Sequence, residues 1–417
     1  MRVFERPAVF RLFAMAAVPM LLATACSSDD DPDSASESTT TETGTDVAPA
    51  ADCGTDPIKI GLMTSLSGNL AAIGNANADG TAAAAEYINA NGGIDGRQVE
   101  LVIADDQNDP ATASTEARRL IQEDILAFIG PTASVPSGAV VPLITPLNIP
   151  NMLTSIIPTQ LEGENSPNTF AFTFAPASES EAVYEFAKGE GYERIGLIYA
   201  ENPTGDAWLA GLEEVAGDDL VIAEGADPLA TDFTAVVSRV VAEDPDILIM
   251  IMGGTQAGVL LKAIGESGYE GQPFSYQGLL SLPYSAVEDI AGPEILSRTL
   301  ASGAAPQVYD SLPADDPRTD EIQLFLDEFE KLHGAAPELP GFSSTSWDAL
   351  MVLARAAEKT PGATCSGEEW VDAVEKLENE TLAAARYTFT PDDQIGPESS
   401  DMVIIKVEDG KYVALDG

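Results

Sequence analysis

Short β-rich apolar runs alternate with helical stretches from residue 58 onward, and no other feature restricts the fold as much. IKIGLM (58–63) is followed by an Ala-rich stretch over 70–89, VELVIADD (99–106), a helical stretch over 111–123 and ILAFIG (125–130). A helix around 137–145 and IPNML (149–153) complete a first set. The second set has the same grammar. It runs through helix 179–189, RIGLIYA (194–200), helix 207–215 and LVIAEGA (220–226), then helix 232–243, DILIMIM (246–252), helix 256–267 and PFSYQG (273–278). Strand and helix alternating at this spacing build βαβ units, and continuous apolar strands belong to a parallel sheet covered by helices on both faces. About 360 residues follow Asp56, more than one core usually holds, so two similar α/β domains are expected. Amphipathic helices over 319–333 and 346–359, a third over 368–377, ARYTFT (385–390) and DMVIIKVEDGKYVAL (401–415) close the chain. Glu-Asp-Gly splits the last run into a hairpin.

INANGGIDGR (88–97) could cradle a phosphate or simply turn the chain. It follows a helical stretch and precedes a strand, whereas a dinucleotide loop runs from strand to helix with its glycines over the helix N-terminus. The glycines therefore end a helix and turn the chain. Other signs of catalysis are weak. His333 is the only histidine and sits beside Gly334 at a helix end, and the chain has no G-x-S-x-G elbow and no P-loop. No His or Cys pair has metal-ligand spacing. Asp105, Asp106 and Asp109 could do acid–base work, but Asp109-Pro110 reads as an N-cap followed by proline at the first helical position. No catalytic residue, metal or cofactor is expected.

Placement then points to binding, because open α/β sheets hold ligands beyond the carboxyl ends of their strands. Those ends are Ser65–Asn69, Pro131–Ser134, Thr154–Ile157, Asn202–Gly205, Gly253–Gln256 (with Thr255) and Tyr276–Gly278. They are rich in hydroxyl and amide side chains and contain no charged one. Two domains facing each other through such ends would form a cleft of neutral hydrogen-bonding groups.

Residues 1–26 read as a processing signal: Arg2, Arg6 and Arg11, an apolar run over 12–22, then Ala23-Thr24-Ala25-Cys26. The run is about half the ~20 residues needed to cross a bilayer. Small residues before Cys26 resemble the lipobox of lipoproteins, in which the cysteine is lipidated and becomes the first residue; ordinary secretory cleavage is the alternative. Residues 27–55 follow as an acidic tether. Its segment from Ser27 to Asp52 has eight acidic residues, no Lys or Arg and no aromatic, too little apolar surface to offset ordering entropy. Without the signal the chain carries 17 basic and 67 acidic residues, a net charge of −50, which repels nucleic acid and anionic headgroups. In an exported chain Cys53 and Cys365 most simply form one disulfide, with two free thiols as the alternative.

The stretches IKIGLMTSLSGN, INANGGIDGRQVELVIADDQNDPATA and ILAFIGPTASVPSG resemble the type I periplasmic binding proteins of the branched-chain amino acid class, the solute receptors of ABC importers. The resemblance runs from Ile58 to the end. It implies two lobes joined by a three-segment hinge that close on a ligand. Domain 1 would comprise 57–175 and 302–385, and domain 2 would comprise 176–301 and 386–417. It implies a lipid-anchored, extracytoplasmic, non-catalytic monomer with a small-molecule ligand, an ABC permease as partner and no nucleic acid. Ser134 matches the serine that holds the ligand carboxylate, and Ser155 and Ile157 match the next loop. Thr204 stands where an aromatic commonly covers the ligand, Gln277 where an acid takes its ammonium, Phe342 at an aromatic position and Ile73 at a wall position. An ammonium facing Gln277 finds a dipole instead of a countercharge. An amide or another carboxylate is therefore as well suited as an amino acid. A ligand-sensing domain, or an exported hydrolase with a nucleophile–base pair, are the alternatives.

Overall fold

The computed structural model describes residues 53–156 and 163–415. The signal, Cys26, the tether up to residue 52 and Ile157 lie outside the described residues. The first lobe begins with β1 (Ile58–Thr64), α1 (Ala71–Ala90), β2 (Val99–Asp105) and α2 (Pro110–Ile121). It continues with β3 (Ala127–Ile129), α3 (Ser134–Ile144), β4 (Asn151–Leu153) and β5 (Thr169–Ala171). Its five strands are all parallel, in the order β2-β1-β3-β4-β5. In β1, Ile58, Ile60 and Leu62 face one core and Met63 faces the opposite one. Both faces are thus apolar, as a covered parallel sheet requires.

The second lobe contains α4 (Pro176–Gly189), β6 (Ile195–Ala200), α5 (Pro203–Ala216), β7 (Leu220–Ala226), α6 (Thr234–Val241) and β8 (Ile247–Ile251). It continues with α7 (Thr255–Glu266), β9 (Gln272–Ser275), α8 (Tyr284–Ala291), α9 (Pro293–Ser297) and β10 (Leu300–Gly303). The parallel order β7-β6-β8-β9-β10 repeats that of the first lobe. The run ILIMIM over 247–252 alternates between cores: Ile247, Ile249 and Ile251 pack with α4 and α5, while Leu248, Met250 and Met252 pack with α6 and α7.

The chain then returns to the first lobe with α10 (Thr319–His333), α11 (Pro340–Lys359), α12 (Gly367–Val374), β11 (Glu380–Thr381) and β12 (Arg386–Tyr387). Trp347, Phe325 and Trp370 from these helices share the core of β1 and α1. The hairpin of β13 (Val403–Glu408) and β14 (Lys411–Ala414) goes back to the second sheet, where β13 runs antiparallel to β10. There are therefore three crossings: after β5, after β10 and ahead of β13. The expected return at 302 falls inside β10, and the expected switch at 386 precedes Tyr387 and Phe389, which are buried in the first lobe's core. LASG, the strand at the first of these positions, is too brief to show a period.

Buried polar groups tie the crossings. Ser302 Oγ donates to Glu179 Oε1 at 2.7 Å, joining β10 to the first turn of α4. Arg318 Nη1 donates to the Asp401 carbonyl at 2.6 Å, and Arg386 Nε donates to the Asp401 carboxylate at 2.8 Å. Cys53 and Cys365 form a disulfide, so residue 53, assigned to the tether, is fastened to the folded body. In the glycine-rich segment, Gly92, Gly93 and Gly96 all have positive φ. A Cβ on Gly93 would sit 2.0 Å from the Arg97 carbonyl oxygen. The stretch is a tight turn.

Candidate functional site

The carboxyl ends of the two parallel sheets line one cavity of about 320 Å³. In each lobe the strand order reverses beside its first strand, at β1/β3 and at β6/β8, where such sheets open a crevice. The loop after β1 is pinned from β2. The Asp105 carboxylate accepts from Leu66 N–H at 2.9 Å and Ser67 Oγ at 2.6 Å, and Asp106 accepts from Ser65 Oγ. Burial pulls Asp105 upward, but hydrogen bonds from Ser67, Gln107 and Leu66 outweigh it and hold its pKa below the usual range. Asp106 is fully buried, and desolvation raises it. Asp109 caps α2 by accepting from Thr112 N–H at 2.7 Å. Asp105 and Asp106 hold the loop that brings Asn69, Leu70 and Ile73 to the cavity wall.

The floor on the first lobe is a hydroxyl network. Thr64 and Thr132 hydroxyls lie 2.6 Å apart, Asn77 Nδ2 donates to Thr132 at 3.1 Å, and the Ser137 and Ser155 hydroxyls lie 2.8 Å apart. The helix α3 begins at Ser134, earlier than expected, and its N-cap Ala133 supplies no side-chain acceptor. Its opening N–H groups and the Ser134 hydroxyl thus present donors to the cleft, an arrangement suited to a carboxylate. Thr204 Oγ1, in the first turn of α5, donates to Ser134 Oγ at 3.2 Å. That bond joins the lobes across the cavity. The lobes also approach at Gly254, where a Cβ would meet the Asn69 carbonyl oxygen at 3.2 Å.

On the second lobe Tyr276 and Gln277 follow β9. The Tyr276 ring lies against Gly278, where a Cβ would come within 2.2 Å of it, and edge-on to Trp208. Burial keeps the Tyr276 phenol well above its ordinary range. The structure thus gathers Ile73, Ser134, Ser155, Thr204, Gln277 and Phe342 around one space. Phe342 arrives in the first turn of α11, which begins before the expected 346. Thr255 opens α7 but does not line the cavity.

Among the lining residues missed from the sequence are Asn108, Thr173, Glu201 and Leu229. The Oδ1 of Asn108 and the Oγ1 of Thr173 are buried without a hydrogen-bond partner among the described residues, so a bound solute or water can satisfy them. Glu201 corrects the expectation of an uncharged wall. It stands one position before the Asn202–Gly205 segment, immediately after β6. Leu229 is 63 % exposed, an apolar side chain in a polar loop, which is the signal that could have found it. His333 lies at the last position of α10 with its Nε2 3.1 Å from the Asp79 carbonyl oxygen. Among the described residues no His, Cys, Asp and Glu cluster could hold a metal, and no helix is long and apolar enough to cross a membrane.

Two repeated lobes, three crossings and a cleft at both switch points define a bilobal solute receptor. The sequence profile of the periplasmic binding protein family matches residues 57–411, and the chain belongs to that family. It is 25 % identical over 375 residues to the Leu/Ile/Val-binding protein homolog 7 of Brucella abortus, covering 86 % of this chain and 91 % of that protein. An extracellular ligand-binding receptor from Rhodopseudomonas palustris HaA2 has the same fold, with a TM-score of 0.77 at 23 % identity, over 86 % of this chain and 99 % of the other. So does the branched-chain amino acid transporter substrate binding protein LivJ of Streptococcus pneumoniae, solved with isoleucine. Its TM-score is 0.73 at 20 % identity, over 87 % of this chain and 100 % of the other. The chain is thus a solute-binding protein of extracytoplasmic type.

Proposed function

We propose that this protein is the lipid-anchored receptor of an ABC importer, holding a small carboxylate-bearing solute in the interlobe cleft without altering it. The observation that carries this reading is the meeting of Ser134 and Thr204, each at the switch point of its own lobe, 3.2 Å apart across the cavity. A carboxylate seated at the start of α3 takes the Ser134 hydroxyl and the opening N–H groups of that helix, while α5 covers it from the other lobe. Differential contacts of this kind favour the closed arrangement, which is what a permease partner would read. Ser155, Gln277, Ile73 and Phe342 complete the walls. Cys26 would carry the anchor and the acidic tether would give reach. A thermal-shift screen of amino acids, amides and aromatic and aliphatic acids tests the receptor reading. Stabilisation by one class, weakened in Ser134→Ala, supports it; turnover of a stabilising compound into product would refute it. For the anchor, replacing Cys26 with serine should release the protein from the membrane fraction.

A further inference from the structure

We infer that Glu201 sets the charge pattern of the solute: the cleft takes a carboxylate whose cationic group lies at a distance, along an aliphatic stem. The inference rests on the cleft being the binding site proposed above. Among the described side chains lining the cavity, Glu201 is the one carboxylate, and no described Lys, Arg or His lines it. Its carboxylate makes no hydrogen bond or ion pair with the described residues. The cation beside β7, Arg239, is already bound to Glu224 at 2.7 Å. Glu201 is exposed at the cleft and rests against β7. Its Cγ and Oε1 lie 3.0 and 3.1 Å from the point a Cβ on Gly225 would occupy, so the glycine leaves room for the side chain there.

Position separates this carboxylate from the place occupied by Gln277. Glu201 follows β6 and Gln277 follows β9, and β8 lies between those strands. Two inter-strand spacings put the two positions about 10 Å apart across the sheet. An ammonium on the carbon next to the carboxylate, aimed at Gln277, would meet a neutral amide there. Glu201 instead stands three residues before Thr204, whose hydroxyl touches Ser134, and three residues span at most about 10 Å. A cation several bonds from a carboxylate at Ser134 can therefore reach it. Val135 and Leu229 flank the cavity and are 41 % and 63 % exposed, apolar cover suited to a methylene stem.

The test is calorimetry on the full chain with 4-aminobutyrate, 5-aminovalerate and 6-aminohexanoate, each against its amine-free parent acid, and with leucine. The expected result is a preference of about 10-fold or more for at least one amine-bearing acid over its parent. Glu201→Gln should abolish that preference and Glu201→Asp retain part of it. Melting of unliganded Glu201→Gln close to the native value checks that the variant folds. Leucine binding best with no dependence on Glu201, or no preference for any amine-bearing acid, overturns the inference. The receptor reading is judged apart from this, by the effect of Ser134→Ala on whichever solute binds.

Discussion

Replacing Ser134 with alanine is the most informative single change in the cleft. Ser134 is 6 % exposed and opens α3, and among the described residues its hydroxyl bonds only to Thr204 of the opposite lobe. The first lobe's own framework, the Thr64–Thr132–Asn77 and Ser137–Ser155 contacts, does not use it. Loss of the hydroxyl should therefore change the melting of the free protein by little, since the bond it makes is worth about 1 kcal/mol net. In the complex proposed above the same hydroxyl would face a charged oxygen, and a bond to a charged group contributes about 1.5–3 kcal/mol. The expected loss is about 10- to 150-fold in Kd. Calorimetric titration with the tightest compound from the thermal screen reads it directly. Thr204→Val, which keeps the volume and removes the interlobe donor, should also weaken binding, and the two effects should not add because the side chains share one bond. Affinity within twofold of the native protein for Ser134→Ala would refute the assignment of the carboxylate to the start of α3.

Three further predictions concern the framework. Burial raises Glu179 from its ordinary 4.5 to about 7. The folded state then holds its proton more tightly than the unfolded chain, so its contribution to stability falls as pH rises from about 4.5 to about 7. Glu179→Gln should flatten that part of the pH–stability profile and gain up to about 3 kcal/mol above pH 7; an unchanged profile by urea titration would count against it. Asp348 is fully buried and accepts from Ala383 N–H, Ala384 N–H and the Tyr387 hydroxyl at 2.7–3.1 Å. Asp348→Ala leaves those donors unpartnered and should cost about 3–5 kcal/mol, seen as a lowered urea midpoint. The Cys53–Cys365 bridge spans a sequence separation of 312. In the chain-entropy model its removal by the double serine variant costs up to about 5 kcal/mol, so an unaltered melting temperature would show that the bridge does not restrain the unfolded chain.

Much of the architecture was legible because its signals were periodic. IKIGLM, RIGLIYA and DILIMIM fall on β1, β6 and β8, and the expected helix over 319–333 is α10. The final hairpin turns at Asp409 and Gly410, both with positive φ, as Glu-Asp-Gly implied. The brief elements were not legible. β5 and β10 have three and four residues, and their pairing is fixed by neighbours distant in sequence. The cleft was partly legible for a related reason. Topology alone sends the ends of β1, β3, β6 and β9 to one place, so the segments 131–134, 202–205 and 276–278 could be named from strand positions, while Ser134, Thr204 and Gln277 within them were singled out by the family resemblance. Glu201 could not, because whether the residue directly after a strand faces the crevice depends on where pairing stops. Thr255 shows the converse: it lies in a correctly placed segment, yet the start of α7 leaves it off the cavity wall.

A crystal structure with the tightest compound from the thermal screen tests the central claim most directly. The account predicts that compound enclosed between the lobes, a carboxylate oxygen within hydrogen-bond reach of Ser134 and the rest of it in contact with the second lobe near Thr204. Density for the compound on an outer face, with the cleft holding only water, would contradict it.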